Sequence, residues 1–443
     1  MNINENFDNQ NLEGGEVISS GGYGCIFRPS LKCKSSVNLN SENNNKYISK
    51  LLFNKHAQEE ISEINRIKPI IIKIPKNDEY FLLKDVNYCK PDTLSKSDLN
   101  NIDKCDKFFN KNNFNINNIN NELDKFTIIN TPYGGIDLEK YIYSDKFSLN
   151  SFKIINNGLI NILNNAIIPI NKLNLFHMDL KDQNMLYENN KIKIIDWGLS
   201  FIKTQNNFEY KRENFNNNLY RRPLQFNLPY SILLLNNEFW QEFINYFNYF
   251  SNVEKKEINY EFFRKILEQI LYNFFENTKH GHNIDLTNNI IPLFYDNTVL
   301  ENDSQKYNKF IEIFTKIYTA IFVKYFDIKK KKFKINEYIE NIYLHNCDIF
   351  GLISVYISLF EKLKKDNNKN VDLTKLKLFV KKYLFEEKFY VEPYNIQQLN
   401  DDLKELNNYI LQKGEKRKIG SGKKTKANKY LPNKVNKNRK TRK

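Results

Sequence analysis

Cysteine, glycine, proline and long apolar runs are all scarce in this chain, and each shortage removes a class of protein. Five cysteines in 443 residues, none in a C-x-x-C pair, indicate neither a zinc site nor a disulfide framework; reduced thiols in an intracellular protein are the expectation. No stretch of 18 apolar residues occurs and the N-terminus is polar, so neither a membrane span nor a signal peptide is expected, and the chain should be soluble with no membrane partner. Fourteen glycines and 11 prolines are too few for a collagen-like or low-complexity chain. What is present instead is 41% hydrophobic residues, including 34 Phe and 27 Tyr, enough for a real core. Asparagine runs such as Asn43-Asn44-Asn45 suggest an AT-rich genome more than a function.

Acid is short as well, but unevenly. The net charge is +15, and residues 413–443 hold 14 Lys/Arg against Glu415 alone, so +13 of it belongs to that segment. The body is close to neutral. A tail of this composition cannot bury a core and is expected to be disordered. It suits a nucleic acid or another polyanion, bound by counterion release, or a nuclear address. Tyr430 is its one aromatic residue, so binding should be blind to sequence and sensitive to salt.

The chemistry concentrates at His177-Met178-Asp179-Leu180-Lys181-Asp182-Gln183-Asn184 and Ile195-Asp196-Trp197-Gly198. One short loop holds a carboxylate, an ammonium and a carboxamide, and a second carboxylate follows at a glycine turn. Phosphoryl transfer needs such a set: a base for the acceptor proton, oxygen ligands for Mg²⁺ and positive charge near the moving phosphate. Met185 to Ile195 between them reads as a tight hairpin that would carry both metal ligands to one place. The pattern H-x-D-L-K-x-x-N with D-x-G closely resembles the catalytic and metal loops of eukaryotic-type protein kinases. That resemblance implies Asp179 as the base, Lys181 on the transferred phosphate, and Asn184 and Asp196 on Mg²⁺. Lys181 is similar to the Ser/Thr-directed branch. Met178 stands where the family has the arginine that pairs with a phosphorylated activation segment, implying activity without that gate.

Upstream residues follow the family's order. Glu16 to Phe27 reads as strand, glycine turn, strand; Ser19, Gly21, Gly22, Gly24 and Ile26 resemble the glycine-rich loop over the phosphates, with Ser19 in place of its first glycine. Tyr47-Ile48-Ser49-Lys50 resembles the strand whose lysine holds the ATP phosphates, after a looped-out Ser35–Asn45 insertion. Gln58 to Ile67 has helical spacing, and Glu60 is the first choice to pair with Lys50, ahead of Glu59 and Glu63. Ile70–Lys73 and Tyr80–Leu83 read as strands, and 85–125 as a polar insertion. Phe126–Ile129 is a strand leading to Asn130–Gly135, similar to a hinge in which Thr131 to Tyr133 meet the adenine edge, Ile129 backs the pocket and Asp137 reaches the ribose.

Ser151–Leu175 reads as an apolar helix feeding His177. Trp197–Pro229 resembles an activation or substrate segment without the A-P-E ending, and His280 and His282 read as surface histidines. Residues 231–345 read as inserted helices, after which Cys347-Asp348 begins an apolar helix whose Asp348 would brace the catalytic loop. The resemblance therefore implies an α+β, two-lobed kinase-like fold: a loose 1–12, a β-rich N-lobe at 13–133, a mostly helical C-lobe at 134–412 and the basic tail. It implies ATP and Mg²⁺ as cofactors and a Ser/Thr protein substrate. A small-molecule kinase of aminoglycoside or choline type, or a pseudokinase interaction module, is the alternative. Gly-Tyr-Gly-Cys-Ile-Phe-x-Pro, Ile-Ser-Lys and Asn-Leu-Pro are similar to protein kinases of large DNA viruses, implying host cytoplasm, nucleus or virion.

Overall fold

An antiparallel sheet of five strands builds the N-terminal part: β1 (Glu16–Ser20), β2 (Gly24–Arg28), β3 (Tyr47–Phe53), β4 (Asn87–Cys89) and β5 (Phe126–Pro132), in the order β1-β2-β3-β5-β4. The structure, a computed structural model, describes residues 15–20, 24–34, 46–100, 102–105, 114–203, 224–277, 285–295, 303–366 and 372–421. Gly21, Gly22, the 35–45 insertion, His280, His282 and most of the basic tail lie outside these residues, as does the stretch 204–223. The described chain is an α+β mixture, mostly helical, with small antiparallel sheets.

Each face of the sheet buries its own core, as the strand period of two requires. Val17, Cys25, Phe27, Leu51, Phe126 and Ile128 close one cluster, while Leu52 and Ile129 meet Ala57 and Ile61 of α1 (Asn54–Ile71) on the other. Gly24 permits the close approach of β2 to β3: a Cβ there would stand 2.4 Å from the Leu51 carbonyl oxygen and 2.6 Å from Leu52 Cδ2.

Three expectations for this part are corrected. Ile70–Lys73 is not a strand: α1 continues to Ile71, because Ile67 and Ile71, four apart, both bury on the core face. Of Tyr80–Leu83, Tyr80 ends a short helix α2 (Asn77–Tyr80), and Phe81 alone makes a bridge, to Ile194. The 85–125 segment is more than a polar loop: it supplies β4, and Leu94, Cys105, Phe114, Ile119 and Leu123 complete the first core. It is also stapled there. Cys25 is bonded to Cys105 and Cys33 to Cys89, against the expectation of reduced thiols; both pairs join stretches 56 or more residues apart, which spacing along the chain does not reveal. Cys347 is the free, buried thiol.

A second sheet of β6 (Ile136–Asp137), β8 (Met185–Glu188) and β9 (Lys191–Ile194) lies within the stretch that joins residues 177–184 to Asp196, with β7 (Leu175–Phe176) paired to β10 (Phe201–Ile202) beside it. Asn189 and Asn190 both take left-handed φ, 49° and 63°, which closes β8–β9 as a two-residue hairpin. After the one-turn α3 (Leu138–Ile142), helix α4 (Leu149–Ile162) runs on through a π-turn to Lys172. Ser148 caps it, accepting from the Ser151 N–H at 3.2 Å.

The helices α5 (Asn237–Asn248), α6 (Tyr260–Asn277) and α7 (Asp303–Tyr325) form the block expected at 231–345. They are not a separate unit. Phe239, Phe263, Phe314 and Phe322 belong to the same buried cluster as Met178, Leu180 and Ile194. Helix α8 (Leu344–Lys365) is the axis of that cluster. It is preceded without a break by helical residues from Ile335, so Cys347-Asp348 lies inside a helix rather than at its start, and Asp348 is not a cap. Ile335–Lys365 is long and apolar enough to cross a membrane, yet 89% of its most apolar window is buried inside the fold. After α9 (Thr374–Phe385), α10 (Ile396–Ser421) extends past the boundary expected at residue 412 into the basic segment.

Candidate active site

Helix α8 sets the 177–184 loop in place. Asp348, fully buried, accepts from the His177 N–H at Oδ2 and from the Met178 N–H at Oδ1, both at 2.9 Å. Burial raises its carboxyl pKa, and these two N–H groups oppose the rise. Gly351, one turn on, lets the loop rest against the helix, since a Cβ there would stand 2.6 Å from the Leu180 carbonyl oxygen. Met178 takes φ 64°, a conformation that costs an L-residue about 1–2 kcal/mol and is held here by the Asp348 anchors. His177 accepts the Asp179 N–H at Nδ1, 3.3 Å, so its Nε2 carries the proton and donates to the Ile195 carbonyl at 3.0 Å. One imidazole thereby ties the Asp179 loop to the strand end before Asp196.

Three side chains hold the Asp179 carboxylate. Oδ2 accepts from Lys181 Nζ at 3.2 Å and from Asn184 Nδ2 at 2.9 Å; Oδ1 accepts from Asn227 Nδ2 at 2.9 Å. Asn184 also donates to the Asp179 carbonyl at 2.8 Å, so its amide nitrogen faces Asp179 and its Oδ1 is left as a hard oxygen donor. Its backbone carbonyl takes the Ile195 N–H at 3.0 Å, which fixes Asn184 one residue from the chain position of Asp196. Asp196 has φ 64°, and its Oδ1 receives the Gly198 N–H at 3.4 Å. An amide oxygen and a carboxylate suit Mg²⁺, which takes few protein ligands and completes its shell with phosphate and water. Among the described residues no group of three His, Cys, Asp or Glu is arranged to hold a metal unaided.

The sheet aligns the nucleotide candidates in one row. Ser19 pairs with Ile26, Ile26 with Lys50 and Lys50 with Ile129, so all four lie directly opposite one another across β1, β2, β3 and β5 and share a face. Lys50 Nζ meets Glu60 Oε2 at 2.6 Å. Of the competing acids, Glu59 meets His56 at 3.1 Å and Glu63 meets Arg66 at 2.6 Å. Arg66 reaches on to the Ser200 carbonyl at 3.0 Å and hydroxyl at 2.7 Å, which joins α1 to the chain just after Asp196.

The hinge differs from the expectation. The Tyr133 N–H donates to the Lys46 carbonyl at 2.8 Å and is not offered to an adenine edge; Thr131 and Pro132 are inside β5, paired with β3, and Pro132 has no N–H. The Tyr133 ring instead carries the Arg28 guanidinium, 3.4 Å from its centroid. Asp137 is ion-paired with Lys140 at 2.5 Å and would have to leave it to reach a ribose. Gly24 opens β2, directly after residues 21–23, which lie outside the described ones, and is packed against β3. Asn227 was legible only as part of Asn-Leu-Pro; no local pattern announces a contact 48 residues away.

No family model matches the chain, and no curated protein matches it.

Proposed function

We propose that the chain is a Ser/Thr protein kinase of two-lobed type, transferring the γ-phosphoryl group of ATP to a protein hydroxyl with Mg²⁺. The observation that carries this reading is the Asp179 carboxylate, fixed by Lys181, Asn184 and Asn227 beside the oxygen donors Asn184 and Asp196. A carboxylate has about four lone-pair positions, and three accepted hydrogen bonds leave one for an acceptor hydroxyl. In the reaction the acceptor oxygen bonds to the γ-phosphorus, the bond from that phosphorus to the β,γ-bridging oxygen breaks, and ADP departs. The hydroxyl proton passes to Asp179 and then to solvent. Lys181 supplies positive charge at the moving group, and Lys50, steadied by Glu60, holds the other phosphates. Mg²⁺, when bound through Asn184 and Asp196, neutralises charge on the phosphate oxygens. Met178 is apolar and fully buried, so that position offers no cation to a phosphorylated segment and supports activity without such a gate.

A second reading, a kinase-like scaffold without turnover, draws on the hinge, where the Tyr133 N–H is engaged and Pro132 has none. Labelled ATP with Mg²⁺, offered with a basic and a casein-like protein, separates the two. Label on Ser/Thr should fall by about 10³-fold or more in both Asp179→Asn and Asp196→Asn. Label that survives both substitutions refutes the assignment, and ATP binding without transfer to any acceptor favours the scaffold. The basic segment is proposed as a polyanion-binding arm; salt-sensitive nucleic-acid binding unchanged by truncation before Lys413 would refute that role.

A further inference from the structure

The two disulfide bonds of the N-terminal sheet differ in access. Cys25 and Cys105 are both 0% exposed, buried under the sheet with Val17, Leu51 and Phe126. Cys33 and Cys89 are each partly exposed, Cys33 between Lys32 and Lys34 and Cys89 between Tyr88 and Lys90, all four neighbours being exposed. Backbone bonds hold the two stretches as a ribbon at the sheet edge. The Lys34 N–H donates to the Lys90 carbonyl and the Asp92 N–H to the Lys32 carbonyl, both at 2.9 Å.

The accessible bond also has a sulfur prepared to carry negative charge. Cys33 Sγ accepts from Asn130 Nδ2 at 3.8 Å. The surrounding bonds fix that orientation of the amide: Asn130 Oδ1 takes the Ser49 hydroxyl, whose own oxygen receives the Leu31 N–H at 2.7 Å, and Nδ2 donates also to Asn87 Oδ1 at 3.0 Å. Around the ribbon, Lys34 Nζ is 3.0 Å from the Asp124 carboxylate and Lys90 Nζ 3.0 Å from the Asp124 carbonyl oxygen. Lys32, Lys34 and Lys90 outnumber Asp92 and Asp124 there. Cations and N–H donors beside a sulfur favour its departure as a thiolate, and exchange further requires that a thiol can reach the bond.

We infer that Cys33–Cys89 is a thiol–disulfide exchange site opened by a dithiol reductant, while Cys25–Cys105 stays closed. A thiolate of the dithiol attacks Cys89 Sγ, the Cys33–Cys89 bond breaks, and Cys33 departs as a thiolate beside the Asn130 N–H. The second thiol then attacks the mixed disulfide and releases Cys89. Two electrons and two protons pass from the dithiol to Cys33 and Cys89, and the dithiol becomes a disulfide. The consequence reaches the sheet through β4, an edge strand paired with β5 by Asn87 to Asn130, Tyr88 to Ile129 and Cys89 to Ile128. Ile129 is opposite Lys50, so freeing the outer side of β4 loosens the row proposed to hold ATP. That last link rests on the kinase reading; the exchange site stands on the cysteines alone.

The test treats the full-length protein with dithiothreitol, quenches samples at intervals with iodoacetamide and weighs the peptides by mass spectrometry. Cys33 and Cys89 should be alkylated at least about tenfold faster than Cys25 and Cys105, with buried Cys347 unlabelled as the sign that the fold is intact. Oxidised glutathione, added instead of the quench, should restore the Cys33–Cys89 bond. Equal rates, earlier labelling of Cys25 and Cys105, or a bond that does not re-form overturns the exchange site. ATP should bind about fivefold or more weakly to the briefly reduced protein and to Cys33→Ser/Cys89→Ser than to untreated wild type. Unchanged affinity in both overturns the coupling to the row. Absence of ATP binding in every form refutes the kinase reading and leaves the exchange site standing.

Discussion

Single residues show where this fold spends stability on its site. Asp182 is the clearest case, since its folded pKa of about 6 is above the ordinary 3.8. Between those values the folded chain binds the extra proton, so stability is fully present below about pH 4 and is lost as pH rises through 6. Asp182→Asn removes the charge, and the variant should be more stable than wild type at pH 7 by about 1–3 kcal/mol, with the two converging near pH 4. Urea melts at both pH values check this; equal stability at pH 7 would refute it. Asn227 makes the opposite case, a polar group that steadies the carboxylate proposed as the base. In Asn227→Ala the Asp179 Oδ1 loses its 2.9 Å donor, and kcat should fall about 10- to 100-fold with KM for ATP unchanged. A matching change in KM for ATP would show instead that the nucleotide region had shifted. Met178 and Asp196, both at φ 64°, are the residues a sequence cannot mark, because left-handed backbone at Met or Asp is imposed by tertiary partners such as Asp348.

At the scale of elements, what was legible was local. The Asn189-Asn190 hairpin and the strand around Lys50 follow from turn chemistry and periodicity and are found where those signals put them; the apolar period of α4 is found too, but its helix ends at Lys172 rather than Leu175, which belongs to β7. Each failure has its own cause. Ile70-Ile71-Ile72 has β-branched strand propensity, but the i, i+4 burial of Ile67 and Ile71 carries α1 through it. The polar 85–125 stretch hides five core residues too far apart to form a pattern. Cys347-Asp348 is expected to start a helix on its resemblance to a family motif, whereas helical residues run into it without a break from Ile335. Gly24 separates a packing role from a phosphate role. Gly24→Ala brings a Cβ within 2.4 Å of the Leu51 carbonyl, so β2 must move from β3, and the sheet should lose about 1–3 kcal/mol. Denaturant melts of the nucleotide-free protein read this directly; unchanged stability with weakened ATP binding would return the glycine to the phosphate loop.

The whole molecule is organised by two cores with different fastenings. The large core runs from Met178 and Ile194 through α8 to the aromatic block of α5, α6 and α7, and needs no covalent help. The smaller core under β1, β2, β3 and β5 depends on the 85–125 segment for Leu94, Phe114, Ile119 and Leu123, and that segment has little regular structure of its own. There the Cys25–Cys105 and Cys33–Cys89 bonds close stretches of 80 and 56 residues. Loops of that length restrict the unfolded chain by about 4 kcal/mol each in the chain-entropy account. Lys50, Ile26 and Ile129 lie on the same sheet, so the bonds also govern the row proposed to hold the nucleotide. Reduction should therefore lower the melting temperature of the wild type and weaken ATP binding, and Cys105→Ser/Cys89→Ser should reproduce the reduced protein and be indifferent to reductant. A thiol count on the denatured, unreduced protein decides the premise: one reactive thiol, from Cys347, agrees with the two bonds, and five would refute them.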